Sequence, residues 1–258
     1  MKPEFYFLLD ILLLCRLGYI LRDSPIQRKD FLYMLCIQLF ATLMFRLNLQ
    51  NLFLAIFIVG FNITLFFVEN QKGNQANSII LILQRVISLF IYIFIFSIFF
   101  SPAVELDFNP YTLYILSKIG EFSFLFTGIE NMNFVLFLVV MMGFLLIMNE
   151  SNLVIRFLFQ KYKLVPKEIN DKDKTDIREY NAGRVIGILE RIIIYFFVLV
   201  DQYSAIGFVM AVKGFARFKD MDNREFAEYV LIGTLLSTLS AMSIGLLIRW
   251  LLSIYLFI

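Results

Sequence analysis

The chain contains no histidine, and this absence excludes several familiar kinds of active site. Without histidine there is no Ser-His-Asp or Cys-His nucleophilic arrangement, no histidine acid–base chemistry and no histidine-dependent metal site. The sequence also lacks a CxxC pair, a Walker A motif, a GxGxxG motif and a dense acidic cluster within its apolar segments. We therefore predict no catalytic residue, no metal ligand and no cofactor, and an enzyme is the least favoured class.

Cysteine and proline are scarce, and both occur where a bundle of membrane helices tolerates them. The two cysteines, Cys15 and Cys36, lie within apolar stretches, so we interpret them as buried apolar side chains without a disulfide framework. The five prolines fall outside the apolar runs or at their edges, as expected where every backbone group must be satisfied inside a bilayer. No cleavage site follows the first apolar run, which predicts that this segment stays as a membrane anchor.

Hydrophobic residues make up 60% of the sequence, against roughly 45–50% in soluble proteins. Long apolar runs recur along the whole chain, which predicts an all-α integral membrane helical bundle with about eight transmembrane helices. The runs cover 5–21, 31–45, 52–68, 79–100, 134–159, 185–200, 205–218 and 230–258.

Lysine and arginine are distributed unevenly between these runs, which predicts the orientation of the helices. The connections at 22–29, 160–184 and 213–224 are basic and therefore cytoplasmic by the positive-inside rule. All basic connections lie on the cytoplasmic side only if 111–126 does not cross the membrane. We therefore predict an interfacial or re-entrant helix there. Both termini then lie outside; in a seven-span alternative, 205–218 is re-entrant and the C-terminus lies inside. The predicted location is the bacterial inner membrane, with multiple crossings.

A single extended hydrophilic stretch divides the chain. It mixes lysine with aspartate and glutamate, which is typical of a solvated linker rather than a lipid-binding tail. The predicted organisation is an N-terminal transmembrane lobe at 1–159, a charged cytoplasmic linker at 160–183 and a C-terminal transmembrane lobe at 184–258.

The C-terminal lobe carries polar and charged residues inside or beside segments that are otherwise apolar. A charge in hydrocarbon costs about 2.5–3.5 kcal/mol on insertion scales, so it needs a partner, water or a function. The candidate polar network or binding site consists of Arg184, Glu190, Arg191, Gln202, Lys213, Arg217 and Glu228.

Plainer interpretations exist for several of these residues. Arg184 can extend to the headgroups, Gln202 can belong to a hydrated turn, and Lys213 and Arg217 can be cytoplasmic anchors. The sharper hypothesis is that four cations converge at the inner membrane face and bind a phosphate or an acidic lipid headgroup. Those cations would be Arg184, Arg191, Lys213 and Arg217.

The last apolar run repeats a small residue at every fourth position, at Gly233, Ser237, Ala241 and Gly245. Such a strip lets two helix backbones approach closely. It predicts close packing within the fold or between subunits.

In the N-terminal lobe, Asp10 stands out as an ionisable residue inside an apolar run. Solvation at the interface is one interpretation, and pairing with Arg85 is the other. Arg16, near the end of the same run, needs only to extend to the headgroups.

Three strings in the C-terminal lobe resemble an uncharacterised domain family of bacterial multi-pass membrane proteins: GRVIGILER, IGFVMAVK and AEYVLIGT. The similarity covers about residues 180–240. The family pattern often begins with a first helix that contains histidine, which this chain lacks, and it implies no activity. The resemblance implies importance for Arg184, Gly187, Glu190, Arg191, Gln202, Gly207, Lys213, Arg217, Glu228, Gly233 and Thr234.

Three functions are compatible with these patterns. The favoured one is a transport, channel or ligand-binding protein with an intramembrane polar site. The next is a non-catalytic membrane subunit or effector that oligomerises through its last helix, and the third is a membrane enzyme acting on a phosphorylated lipid. The predicted partners are membrane lipid, an anionic ligand or lipid headgroup, and a homo-oligomer or membrane complex. The formal net charge of +2 predicts no nucleic-acid partner.

Overall fold

The computed structural model describes residues 2–20, 25–71, 78–121, 134–162, 177–216 and 224–256. Within these residues the secondary structure is helical, with no strand and one isolated antiparallel bridge, between Phe45 and Phe108. This confirms the all-α prediction. The helices are α1 Pro3–Ile20, α2 Arg28–Thr42, α3 Leu49–Gln71, α4 Ser78–Phe99, α5 Pro110–Glu121, α6 Phe134–Lys161, α7 Ile177–Leu199, α8 Tyr203–Ala216 and α9 Arg224–Leu256.

Four of the described helices, α3, α4, α6 and α9, are long enough and apolar enough to cross a membrane by length and composition. Two others are shorter in their described parts: α2 has 15 residues and α8 has 14, whereas a straight crossing takes about 20. Helices α1 and α7 are longer but carry more charge. The structure is thus that of a helical membrane protein by composition, and the count of eight spans stays a prediction.

The segment 111–126, predicted not to cross, corresponds in part to α5. This helix has 12 residues, which at 1.5 Å per residue gives about 18 Å, well short of a hydrocarbon core of about 30 Å. Its described part is therefore too short to cross as a helix. Residues 122–126 lie outside the described residues.

The chain divides into two compact units, Met1–Leu145 and Leu146–Ile258. The division falls within α6, whereas the sequence suggested a boundary near residue 159. Helix α7 begins at Ile177, inside the predicted 160–183 linker. Residues 163–176 of that linker lie outside the described residues.

In the first unit, α1 to α4 form a closed ring in which each helix contacts the next and α4 contacts α1. The segments after α2 and before α5 pair at one end: the Arg46 amide donates to the Asp107 carbonyl at 3.0 Å, and the Asn109 amide donates to the Met44 carbonyl at 2.9 Å. The rings of Phe45 and Phe108 stack there with centroids 5.3 Å apart.

The other end of this ring is held by a buried ion pair between α3 and α4. Arg85 donates through Nε and Nη2 to the two carboxylate oxygens of Glu69, at 3.2 and 3.1 Å, and both side chains are at most 2% exposed. Arg85 Nη1 also donates to the Tyr19 carbonyl at 3.3 Å. This geometry fixes α1, α3 and α4 relative to one another.

Two interpretations of polar residues in the first unit are wrong. Arg16 does not extend outward: it is 0% exposed and donates to Ser88 Oγ at 3.0 Å and to the Arg85 carbonyl at 2.8 Å. Asp10 is also buried, and it does not pair with Arg85, which is bound to Glu69.

In the second unit, α9 packs along α7, and α8 returns against α7. The turn between α7 and α8 places Asp201 in the left-handed region, with φ of 60°, a conformation that aspartate adopts more readily than most residues. Arg249 of α9 pairs with Asp201 and donates to Tyr203 Oη at 2.9 Å. The three helices form the frame of the site described next.

Candidate functional site

The second unit contains a cavity of about 160 Å³ where α6, α7, α8 and α9 face one another. Its wall combines two cations, three hydroxyl groups and several apolar side chains. The lining residues are Ile155, Phe159, Gly187, Arg191, Lys213, Tyr229, Val230, Gly233, Thr234 and Ser237. Half of this wall comes from α9 alone, because its small residues and hydroxyls lie on one face at helical spacing.

Arg191 is the more deeply buried of the two cations, at 4% exposure. Its guanidinium donates to Ser237 Oγ at 3.2 Å and to Asn152 Oδ1 at 3.5 Å, both of which are neutral acceptors. Its Nε–H has no hydrogen-bond partner. Among the described residues, no carboxylate lies within ion-pair distance of this guanidinium, although such a partner is what usually compensates a buried cation.

Lys213, on α8, is the second cation of the cavity. Its ammonium group donates to the carboxylate of Glu190 on α7, and the two side chains are 19% and 16% exposed. Glu190 precedes Arg191 in the chain, and consecutive helical residues point about 100° apart. Glu190 therefore holds Lys213 while Arg191 points to its neutral acceptors.

Two glycines leave room around these groups. A Cβ added at Gly187 would lie 3.7 Å from Arg191 Nη1, an ordinary contact, so larger side chains would occupy space beside the guanidinium. A Cβ at Gly233 would lie 3.2 Å from Phe159 Cζ, which is a tight contact. The volume beside the cations thus depends on glycine at both positions.

Two other predicted site residues, Gln202 and Glu228, do not line this cavity. Gln202 is exposed in the turn after α7, where its amide donates to the Phe197 carbonyl at 2.8 Å. Glu228 is exposed near the start of α9. The side chain of Arg184 and the whole of Arg217 lie outside the described residues. Two of the four cations predicted to converge have described side chains, Arg191 and Lys213, and both line this cavity.

The strip of small residues on α9 is used inside the second unit. A Cβ at Gly245 would lie 2.8 Å from Val198 Cγ1, so the two backbones are in close contact there. Ala241 is completely buried in a cluster with Ile194, Val198 and Ile206. Ser237, one helical turn before Ala241, accepts the hydrogen bond from Arg191.

Sequence reasoning missed the contribution of α6. Ile155 and Phe159 form the apolar wall, and Asn152 supplies an acceptor to Arg191. The apolar residues carried no signal that separates a cavity wall from a lipid-facing surface. Asn152 did carry one, because an amide inside a long apolar run needs a hydrogen-bond partner.

No family model, no curated protein and no solved structure matches the chain. The resemblance of residues 180–240 to a family of bacterial membrane proteins accordingly stays an expectation.

The cavity has the chemistry of an anion-binding site. Two cationic side chains border it, and one carboxylate contacts one of them from the side. Hydrogen bonds from charged donors to oxyanions are stronger than those between neutral groups, and guanidinium in particular matches carboxylate and phosphate geometry.

Proposed function

We propose that this chain is a multi-pass membrane protein of the transport, channel or ligand-binding class, and that the cavity of its second unit binds a small oxyanion. The ligand carries a carboxylate or phosphate group. The observation that carries the proposal is Arg191, a buried cation that borders a cavity and whose described partners are neutral oxygens. Location in a bacterial inner membrane is part of the proposal.

Burial explains why an anion suits this position. Taking a charged group out of water costs several kcal/mol unless another charge or hydrogen bonds compensate it. Arg191 has an Nε–H without a partner, and Lys213 faces the same cavity. An oxyanion that accepts from both side chains would supply the compensation that Ser237 and Asn152 provide only in part.

The cavity is open on one side and its described walls leave room for a small ligand. A cavity of roughly 150 Å³ is known to take up a molecule the size of benzene, and this one measures about 160 Å³. Inorganic phosphate or a short carboxylate fits this volume whole. For a lipid, the headgroup phosphate would enter and the acyl chains would stay outside.

The contacts of α9 argue against the oligomerising subunit as the main function. Its small-residue strip is occupied by Val198 of α7 and Phe159 of α6, both in the same unit of the same chain. The enzyme hypothesis needs a carboxylate as acid or base, and the nearest described one, Glu190, is bound to Lys213. Ligand binding uses the groups that do line the cavity.

Binding of phosphate to the purified protein in lipid nanodiscs tests the proposal. We expect saturable binding of radiolabelled inorganic phosphate, and at least about tenfold weaker binding in Arg191→Met or Lys213→Met, because each removes a charged donor. Arg249→Met is the matched control, since Arg249 belongs to the same unit but does not line the cavity. It should bind as the wild type does.

Two further arms distinguish the source of the phosphate. Nanodiscs with phosphatidic acid in place of part of the phosphatidylcholine should compete with inorganic phosphate if the natural ligand is a lipid headgroup, and should leave its binding unchanged if the ligand is soluble. Absence of saturable binding of phosphate, sulfate and acetate in both membranes would overturn the proposal. Equal binding by wild type and Arg191→Met would do so as well.

A further inference from the structure

Resting on the proposed anion site, we infer that Glu190 is an internal competitor of the ligand for Lys213, so that anion binding is linked to the uptake of a proton. In this scheme the carboxylate holds Lys213 while the cavity contains no anion. When the oxyanion takes over the ammonium group, Glu190 leaves it and becomes protonated.

The geometry places the competing groups together. Lys213 Nζ donates to Glu190 Oε2, and the same lysine lines the cavity that Arg191 borders. Glu190 is itself not part of the lining, so it approaches Lys213 from beside the cavity rather than across it. The ammonium group of Lys213 therefore lies between the carboxylate of Glu190 and the cavity in which the oxyanion would bind.

Charge balance makes the two states exclusive. With Glu190 ionised, Arg191, Lys213 and Glu190 sum to one positive charge. A divalent oxyanion would turn that sum negative in a half-buried environment, where like charges strongly disfavour the ionised form of a carboxylate. Protonation of Glu190 consumes one proton from solvent, breaks its ionic bond to Lys213 and restores neutrality.

The described residues that line the cavity offer no other group that could take this proton. The charged and titratable residues lining the cavity are Arg191 on α7, Lys213 on α8 and Tyr229 on α9. Helix α6 contributes Ile155 and Phe159, which do not titrate. Arg191 and Lys213 are already protonated as donors, and an additional negative charge only favours their charged forms.

Sulfate is the probe that isolates this coupling, because its charge is constant over about pH 5 to 8, unlike that of phosphate. In the wild type we expect binding of sulfate to take up close to one proton, and its affinity to fall by up to about tenfold per pH unit as pH rises. Calorimetric titration of the protein in nanodiscs, in two buffers of different ionisation enthalpy, counts the protons. In Glu190→Gln we expect no proton uptake, and tighter binding than in the wild type at the upper end of the range.

The outcomes separate this inference from the proposed function. No sulfate or phosphate binding at any pH removes the anion site itself. Sulfate binding by the wild type without proton uptake leaves the site and overturns the coupling alone, and so does proton uptake that persists in Glu190→Gln. The wild-type measurement decides the question even if Glu190→Gln fails to fold, because it counts the protons without any substitution.

Discussion

Both units of this protein bury arginines between helices, and two of these arginines, Arg85 and Arg191, have opposite surroundings. In the first unit, Arg85 makes a two-pronged ion pair with Glu69, at exposures of 1% and 2%, with a further bond to the Tyr19 carbonyl. In the second unit, the described partners of Arg191 are the neutral oxygens of Ser237 and Asn152, and a cavity lies beside it. The first arrangement holds helices together, and in the second the Nε–H of Arg191 has no hydrogen-bond partner.

Burial of a charged side chain therefore does not by itself indicate a ligand-binding site. A buried pair that is broken leaves an uncompensated charge, and its integrity then matters for stability. A buried cation without a carboxylate costs stability as it stands, and this is why we propose an anion beside Arg191. The number of acidic partners, together with adjoining space, separates the two cases here.

The largest expected effect is a loss of stability on removal of Arg85, which is to be compared with the removal of Arg191. Arg85→Met should lower the free energy of unfolding by roughly 3–5 kcal/mol, because Glu69 stays buried without its cation. Arg191→Met should cost less, about 1–2 kcal/mol, because only neutral acceptors lose a donor and the cost of burying a cation without a carboxylate is removed as well. Thermal and denaturant unfolding in detergent measures both.

A loss of stability in Arg191→Met as large as that in Arg85→Met would contradict this difference, since Arg191 would then hold the second unit as Arg85 holds the first. A small loss of stability in Arg85→Met would contradict it as well, because the ion pair with Glu69 would then contribute little to the stability of the first unit. Arg249→Met serves as control for the removal of an arginine that is 42% exposed.

A second effect concerns the frame of the cavity. Gly245→Ala should destabilise the protein by about 1–3 kcal/mol, because the new Cβ would lie 2.8 Å from Val198 Cγ1 and 2.9 Å from its Cβ. Gly207→Ala is the matched control: a Cβ there has nothing within 4 Å, and alanine favours a helix over glycine. Unfolding of the two variants side by side shows the difference, and equal stability would mean that α7 and α9 are free to separate.

A third effect tests how completely the first unit satisfies its polar groups. Tyr92 Oη donates to Asn62 Oδ1 at 2.8 Å, and Asn62 Nδ2 donates to Gln38 Oε1 at 2.7 Å, all within the ring of four helices. Tyr92→Phe should cost about 1–2 kcal/mol, because Asn62 loses a donor where water cannot replace it. Tyr33→Phe, at a tyrosine that is 60% exposed, should change stability by much less in the same unfolding measurement.

Much of the helical architecture could be predicted from apolar runs, since a bilayer or core forces long apolar segments to satisfy their own backbone. The run at 79–100 corresponds closely to α4, Ser78–Phe99. The run at 52–68 underestimated α3, Leu49–Gln71, because polar residues extend the helix at both ends. Glu69 was missed for that reason: it lies just past the run, yet it is buried by contacts with other helices that no local pattern encodes.

The candidate site could be located in part. Glu190, Arg191 and Lys213 were identifiable because a charge within an apolar segment demands an explanation. Their mutual arrangement was not, because the partner of each residue depends on how α7 and α8 pack. The strip on α9 indicated close packing, and only the structure assigns Gly245 to Val198 and Gly233 to Phe159.

The smallest effect comes from an ion pair at the surface of the first unit. Its contribution to stability provides a reference for that of the buried pair of Glu69 and Arg85. Lys2 Nζ donates to Asp107 Oδ1 at 2.7 Å, with side chains 34% and 38% exposed. This hydrogen bond, more than any other influence, raises the pKa of Lys2 above its ordinary value of 10.5, aided by attraction to Asp107, Glu4 and Glu105 and opposed by burial.

Because the pKa of Lys2 is raised in the folded protein, its contribution to stability is complete below about pH 10.5 and is lost as the pH rises through the folded value. Lys2→Met should therefore cost at most about 1 kcal/mol at neutral pH, and less in high salt, as is usual for exposed pairs. Unfolding of wild type and Lys2→Met should converge at strongly alkaline pH. A loss as large as that of Arg85→Met would mean that exposure does not govern the strength of ion pairs in this unit. The burial of Arg85 with Glu69 would then not explain why Arg85 contributes more to stability than Arg191.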